Sequence, residues 1–279
     1  MFQSDVKGEQ ASILFEAAEN VRRSVLDVLR ERRDLEVKEL KRVLDLSAHN
    51  AIRETLSNLG ASMNVVSEEG EYTLGGGEAH LIVDPIDGTT NLARGVGYAT
   101  TSIAISETPY LSGTLAAIVM ELNSGLAYWA ERGKGAWLGD SRIKPSGPAG
   151  VKDAMISIDI SKGSYLRSLE RLIYKAGHLR QLGCASISLC HVASGRIDAH
   201  IDYRGALRAT DAAAALFILK EAGGVYIIDG AMDNDLMLSR GSRLRLVAAS
   251  SQGLLDEIMS LIGERQGFAF REATKTREL

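Results

Sequence analysis

Two cysteines, Cys184 and Cys190, are all that 279 residues offer, too few for a disulfide framework or a cysteine-rich zinc site, and the five histidines do not cluster with them. No apolar run approaches the roughly 18 residues a membrane-spanning helix needs, and the charged start from Met1 to Gly8 has no core of signal-peptide length. Positive charge is not in excess either. Thirty-two Lys and Arg stand against 36 Asp and Glu, a net charge of −4, which excludes a general basic field for a nucleic-acid partner. A reducing cytoplasmic setting is expected, with no membrane contact. What is present is ordinary for a globular protein: at 45% hydrophobic, the chain can bury a sizeable core in one large domain or two modest ones.

Apolar residues at helical spacing over positions 9 to 33, Ile13, Leu14, Ala17, Ala18, Val21, Val25, Val28 and Leu29, predict an amphipathic helix. A second helix is expected from about Ser47 to Leu59, with the charge-dense Glu31 to Asp45 as a mobile connection or a short helix. From Met63 to Glu131 short runs bounded by Gly, Ser, Thr and Asn predict a mostly antiparallel sheet, followed by a hairpin around Gly133 to Ser146. Pro145, Gly147, Pro148 and Gly150 cluster next, so a boundary is placed between an N-terminal α+β domain, 1–150, and a C-terminal α/β domain, 151–279. Beyond Val151 strand-like and helix-like runs alternate up to a helix at Ser251 to Ile262. The charged tail from Gly263 is expected to fray.

One run stands out: Leu81-Ile82-Val83-Asp84-Pro85-Ile86-Asp87-Gly88-Thr89-Thr90-Asn91. Asp84 follows a buried-looking strand from His80 to Val83, and Pro85, which fixes φ and lacks an N–H, is expected to turn the chain sharply so that Asp84 and Asp87 converge. Two carboxylates and the carbonyl of Ile86 are the oxygen donors a hard cation such as Mg²⁺ prefers. If a helix starts here, Gly88, Thr89 and Thr90 present free backbone N–H groups to an anion. Taken alone, Asp-Pro-x-Asp-Gly is also an ordinary turn.

The complete run resembles the metal-binding signature of the Mg²⁺-dependent, lithium-sensitive phosphatase superfamily that contains inositol monophosphatase and fructose-1,6-bisphosphatase. Three further blocks carry the resemblance over nearly the whole chain: Ser67-Glu68-Glu69-Gly70, the segment Ala206 to Ala215 closing with Glu221-Ala222-Gly223-Gly224, and Leu182-Gly183-Cys184-Ala185-Ser186. The order Asp202-Tyr203-Arg204, Leu207-Arg208 and Thr210-Asp211 looks most like the archaeal branch that hydrolyses both substrates.

The resemblance implies a layered αβαβα sandwich, two to three Mg²⁺ per site, a homodimer and hydrolysis of a small phosphorylated sugar or inositol. It assigns metal ligation to Glu68, Asp84, Ile86, Asp87 and Asp211, and catalysis to Glu68, Asp84 and a water-orienting Thr89. Substrate contacts fall to Asp87, Gly88, Thr89, Gly183, Cys184, Ala185, Arg204 and Asp211. Arg204 stands seven positions before Asp211, where inositol monophosphatases commonly carry Glu, and its fork suits a second phosphate or, alternatively, a pair with Asp202. Many relatives also pair the threonine hydroxyl with an Asp preceding the second helix. Alignment puts His49 there, and either His49, Asp45 or Asn50, or Glu68 with the metal, must supply that role. Two rival readings remain: a 3′-phosphoadenosine 5′-phosphate phosphatase, and a catalytically inactive metal-binding regulatory protein, for which His49 is the hint.

Overall fold

The structure, a computed structural model, describes residues 8–32, 34–147, 150–161, 166–232 and 234–262. The charged tail from Gly263, Pro148 and all of the start before Gly8 lie outside the described residues. Helix α1 (Glu9–Glu31) forms where the apolar stripe predicts it, burying Leu14, Ala17, Ala18, Val21 and Val25. Its partner α2 (Val37–Asn58) is ten residues longer at its start than expected. The charge of Glu36 to Arg42 hides a stripe in which Leu40, Leu44, Ala48 and Ile52 recur every fourth residue, and all four are buried against α1.

An eight-stranded sheet follows, in the order β2-β1-β3-β4-β5-β6-β7-β8. Its strands are β1 (Met63–Ser67), β2 (Gly70–Leu74), β3 (His80–Asp87), β4 (Thr100–Ser106), β5 (Thr114–Glu121), β6 (Ala127–Glu131), β7 (Gly135–Leu138) and β8 (Ser141–Ile143). Every pairing is antiparallel except β1 with β3. Strand β2 was not expected from the sequence. The alternation of β5 shows how the layers divide: Ala116, Ile118 and Met120 pack toward α1 and α2, whereas Ala117 and Val119 pack toward the other face.

That other face meets α5 (Ala185–Ala193) and α6 (Ala209–Ala222), which sit between the first sheet and a second one. The second sheet has the order β10-β9-β11-β13-β12, from β9 (Met155–Ile158), β10 (His178–Arg180), β11 (Ala199–Arg208), β12 (Val225–Ile228) and β13 (Arg243–Ala249). Its far face is covered by α4 (Leu166–Lys175) and α7 (Gln252–Ile262). Helices, sheet, helices, sheet, helices: the layering is the αβαβα sandwich. Because α6 is sandwiched, it is apolar all round, and Ala212 to Ala215 let both sheets approach it closely.

Candidate active site

Asp84 and Asp87 are three residues apart, so a regular strand would point them to opposite faces. The strand does not turn sharply at Pro85 as expected. It continues to Asp87 through a bulge: Asp84 pairs with Ser102 and Asp87 with Thr100, three steps on β3 against two on β4. One extra residue restores the parity, and both carboxylates reach the same end of the sheet. Gly88 then enters the left-handed region at φ 89°. A side chain there would also strike the Tyr98 carbonyl, its Cβ falling 2.6 Å from that oxygen, so only glycine fits. Helix α3 (Thr89–Ala93) begins immediately after.

Carboxylate oxygens of Glu68, at the turn after β1, of Asp84 and of Asp211, in the first turn of α6, lie within 4.8 Å of one another. Asp84 is 3% exposed and accepts one hydrogen bond, from the Ile86 N–H at 3.0 Å. Its carboxyl is held well above the usual range, first by burial and then by the charges of Asp211, Asp87 and Glu68. Asp211 is raised too, by burial and by Asp87, against the opposing hydrogen bond from Thr210 Oγ1 at 2.9 Å. Acids packed this closely, all oxygen donors, fit a divalent hard cation that would relieve their repulsion.

Asp87 stands just outside that trio and is satisfied differently. Its Oδ2 accepts from the Ser186 N–H (2.8 Å), Ser186 Oγ (2.7 Å) and Cys184 Sγ (3.2 Å). These bonds join the start of α5 to the end of β3, with Cys184 and Ser186 both turned to Asp87. Cys184 and Ala185 are 2% and 7% exposed. Burial, and then the charge of Asp87, push the Cys184 thiol well up, so it is a neutral donor rather than a thiolate. Gly183 has φ 68° and lies beside Asn91, whose amide donates to the carbonyls of Leu182 (2.8 Å) and Tyr98 (2.9 Å). Asn91, the last residue of the run from Leu81, is thus a cross-link between the two sides of the site.

Thr89 Oγ1 lies 3.0 Å from Asp45 Oδ1 and 3.0 Å from the Ile86 carbonyl. The partner of the threonine is therefore Asp45, and the alignment that put His49 there is off by one helical turn. His49 stacks edge-on against Tyr72, ring centroids 6.0 Å apart. Lys41, another turn back on α2, donates to Thr90 Oγ1 at 2.9 Å. Extending the helical period of α2 backwards from Ala48 would have placed Lys41, Asp45 and His49 on one face. Burial raises the Asp45 carboxyl, and Glu69 and Glu68 add to it against the Thr89 bond.

Arg204 is engaged elsewhere. Its Nε and Nη2 grip Asp202 at 2.9 and 2.6 Å, Nη2 also reaches Asp159 at 2.9 Å, and Nη1 donates to the Ser161 carbonyl. Counting back from Asp211 misjudges this position because β11 is irregular: Asp202 pairs with Leu246 and Leu207 with Leu244, five steps against two, with Gly205 at φ 68° inside the bulge. The guanidinium that does meet the acidic cluster is Arg208, paired with the Glu68 carboxylate.

Comparison with known proteins agrees with this geometry. The family model described as "Inositol monophosphatase family" matches residues 7–264. A protein of Methanothermobacter thermautotrophicus named fructose-1,6-bisphosphatase/inositol-1-monophosphatase is 32% identical over 79% of this chain and 82% of its own length. An inositol-1-monophosphatase of Rhizobium meliloti is 35% identical over 64% of this chain and 68% of its own. Among solved structures, a Pyrococcus horikoshii protein with similarities to inositol-1 monophosphatase superposes with a TM-score of 0.68 at 30% identity, covering 80% of this chain and 85% of that one. The suhB protein of Bartonella henselae, at 24% identity, shares the fold with a TM-score of 0.75 over 91% of this chain and 99% of that one. With the bulged Asp-Pro-Ile-Asp-Gly-Thr strand end, the acidic trio and the sandwich all in their expected relation, this chain belongs to the inositol monophosphatase family.

Proposed function

We propose that the chain is a Mg²⁺-dependent phosphomonoesterase that hydrolyses inositol 1-phosphate, fructose 1,6-bisphosphate or both. The observation that carries the reading is the meeting of Glu68, Asp84 and Asp211 within 4.8 Å, next to a threonine hydroxyl bonded to a carboxylate whose pKa is raised. Glu68, Asp84, Asp211 and the Ile86 carbonyl, with Asp87 at the edge, would hold two to three Mg²⁺, which supply charge neutralisation at the phosphoryl group and an acidified water. The part up to residue 150 brings most of these ligands, and 151–279 completes the set with Asp211.

The chain's own groups do the rest. Thr89 Oγ donates its proton toward Asp45 Oδ1, leaving its lone pairs to accept a proton from a water poised for attack in line with the leaving oxygen. Asp45, raised by burial, is a stronger base than an exposed carboxylate and is suited to take that proton onward. N–H groups of Gly88 and Thr89, at the start of α3, face the phosphoryl oxygens as donors. Asp87, fixed by Ser186, and Asp211 bound the side where the leaving alcohol and the sugar hydroxyls sit.

Phosphate release with Mg²⁺ across inositol 1-phosphate, fructose 1,6-bisphosphate, 3′-phosphoadenosine 5′-phosphate and 2-glycerophosphate tests the reading. Turnover of the first or second above the others is the expected result. Preference for the adenosine nucleotide would replace the assignment, and no release from any would return the inactive regulatory reading, whose one hint, His49, has gone to Asp45. The same reading places the enzyme in the cytoplasm as a homodimer acting on small phosphorylated molecules, which fractionation and light scattering would check.

A further inference from the structure

Arg208 closes β11 three residues before Asp211, and its guanidinium is paired with Glu68. Its wider surroundings are the acidic trio itself. Partial burial works against its charge, while Glu68, Asp211 and Asp84, the three members of that trio, hold it in place. We infer that Arg208 is a resident counter-cation of the acidic cluster, competing with divalent cations for Glu68 and so setting the ion concentration at which the site fills. The inference rests on the metal-site part of the function proposed above.

Three features support competition over a purely structural pair. The first is exposure: the two side chains are 37% and 33% exposed, so the pair is screened by water and can be exchanged rather than locked. The second is that the backbone carrying Glu68 does not depend on Arg208 for its position: Arg240 Nε donates to the Glu68 backbone carbonyl at 2.9 Å and holds that turn beside the cluster. The third is room to move. A cavity of about 630 Å³ beside Glu68 is lined by Arg208, Glu69, Glu71, Arg240 and Arg243, and the exposed Glu69 offers Arg208 a second carboxylate there. Contrast Arg204, which is 19% exposed and gripped by a fully buried Asp202.

The charge is what matters for this role. A guanidinium stays charged at any physiological pH and is weakly hydrated, so it can sit among these acids as a fixed positive charge. It offsets the repulsion among Glu68, Asp84 and Asp211 when ions are scarce, and it weakens ion binding for the same reason. Removing it therefore moves two observables in opposite directions.

The test is divalent-ion binding by the full-length protein, followed as free Mn²⁺ by electron paramagnetic resonance and as Mg²⁺ by calorimetry. Arg208→Gln is expected to tighten binding roughly tenfold, the scale of one charge removed a few ångströms from a site near the surface, and to lower the melting temperature of the chelator-treated protein. Arg208→Lys, which keeps the charge, should stay within about threefold of wild type. A pair that only supports the fold would lose stability without gaining affinity. Unchanged or weaker ion binding in a folded Arg208→Gln overturns the proposal, as does a gain in Arg208→Lys as large as in Arg208→Gln. Should Arg208→Gln fail to fold, Arg208→Met, which keeps the apolar stem, is read by the same criteria. Tighter ion binding without phosphate release from any substrate would sink the phosphatase reading alone, and phosphate release without the tightening would sink this one alone.

Discussion

One wall of the site is local and the other is assembled from a distance. Asp84, Asp87, Thr89 and Asn91 lie along a single strand-to-helix turn, shaped by short-range bonds such as Ile86 N–H to Asp84 and Thr89 to the Ile86 carbonyl. Opposite them, Ser186, Arg208 and Asp211 come from α5, from a bulged β11 and from α6, and meet only because the alanine-rich α6 packs between both sheets. A wall made by one turn tolerates little change in its chemistry, since each residue's position follows from its neighbours. The remote wall is held by packing and ion pairs, so changes there act first on stability and ion affinity.

The sharpest way to break this contrast is Asp84→Asn. Asp84 is nearly fully buried among like charges, so an amide removes ligation without removing volume, and kcat is expected to fall by about 10³ or more. The melting temperature of the chelator-treated variant should not fall, since a repulsive charge has gone. Turnover above about a tenth of wild type at saturating Mg²⁺ would show that the local wall is not where the chemistry is concentrated.

Behind the remote wall, on the same bulged β11, the matching experiment is Arg204→Met, read in stability. Asp202 is fully buried and Arg204 supplies both halves of its bidentate pair, so its loss strands a buried charge and is expected to cost about 3 kcal/mol in denaturant unfolding. For both inositol 1-phosphate and fructose 1,6-bisphosphate, kcat/KM should move by less than about threefold, within roughly 0.7 kcal/mol. A selective loss on the bisphosphate would give Arg204 back its role as a second-phosphate ligand and blur the distinction between the walls.

Sequence legibility follows the same division. The acid-rich strand end could be read because its chemistry is contiguous, and Glu68 and Asp211 because short motifs surround them. Strand pattern and helix spacing likewise located α1, β1, β9, α5 and α6 to within a few residues. What could not be read were features created by bulges and by charge on the solvated face of an amphipathic helix. Asp84 and Asp87 share a face only through an extra residue in β3, and Arg204 is displaced by the bulge in β11. The first turns of α2 were concealed because Lys38, Glu39, Lys41 and Arg42 solvate one face while Leu40 and Leu44 bury the other.

Thr89→Ala tests whether the local wall reaches beyond its own turn. Its hydroxyl is bonded to Asp45 on α2, and its loss should lower kcat by roughly 10² with little change in KM. Asp45→Asn should give a similar loss, and the double variant should be no worse than either single one, as for two groups acting as a unit. Because burial raises the Asp45 carboxyl, activity carried by this pair is expected to rise with pH as that carboxylate loses its proton, and to fade as pH drops below it. Additive losses would separate the two residues, and a rise in KM without a fall in kcat would make Thr89 a phosphate ligand only.

The smallest effect expected is also the one that separates two neighbouring residues of α2. His49 lies one helical turn beyond Asp45, close enough for an alignment to confuse them, yet its ring packs edge-on against Tyr72 instead of reaching Thr89. Burial, with the charge of Arg53, lowers its pKa, which favours the neutral ring suited to that contact. His49→Ala should therefore cost about 0.5 to 1 kcal/mol of stability through the lost ring contact. Its kcat should stay within about threefold of wild type, an effect smaller than any catalytic general base gives. Tyr72→Leu, removing the other ring, should reproduce the stability loss and leave kcat alone. A hundredfold loss in His49→Ala, non-additive with Thr89→Ala, would place the histidine back in the proton path and make the Asp45 bond incidental. A loss confined to unfolding measurements would fix the boundary of the catalytic face of α2 between Asp45 and His49.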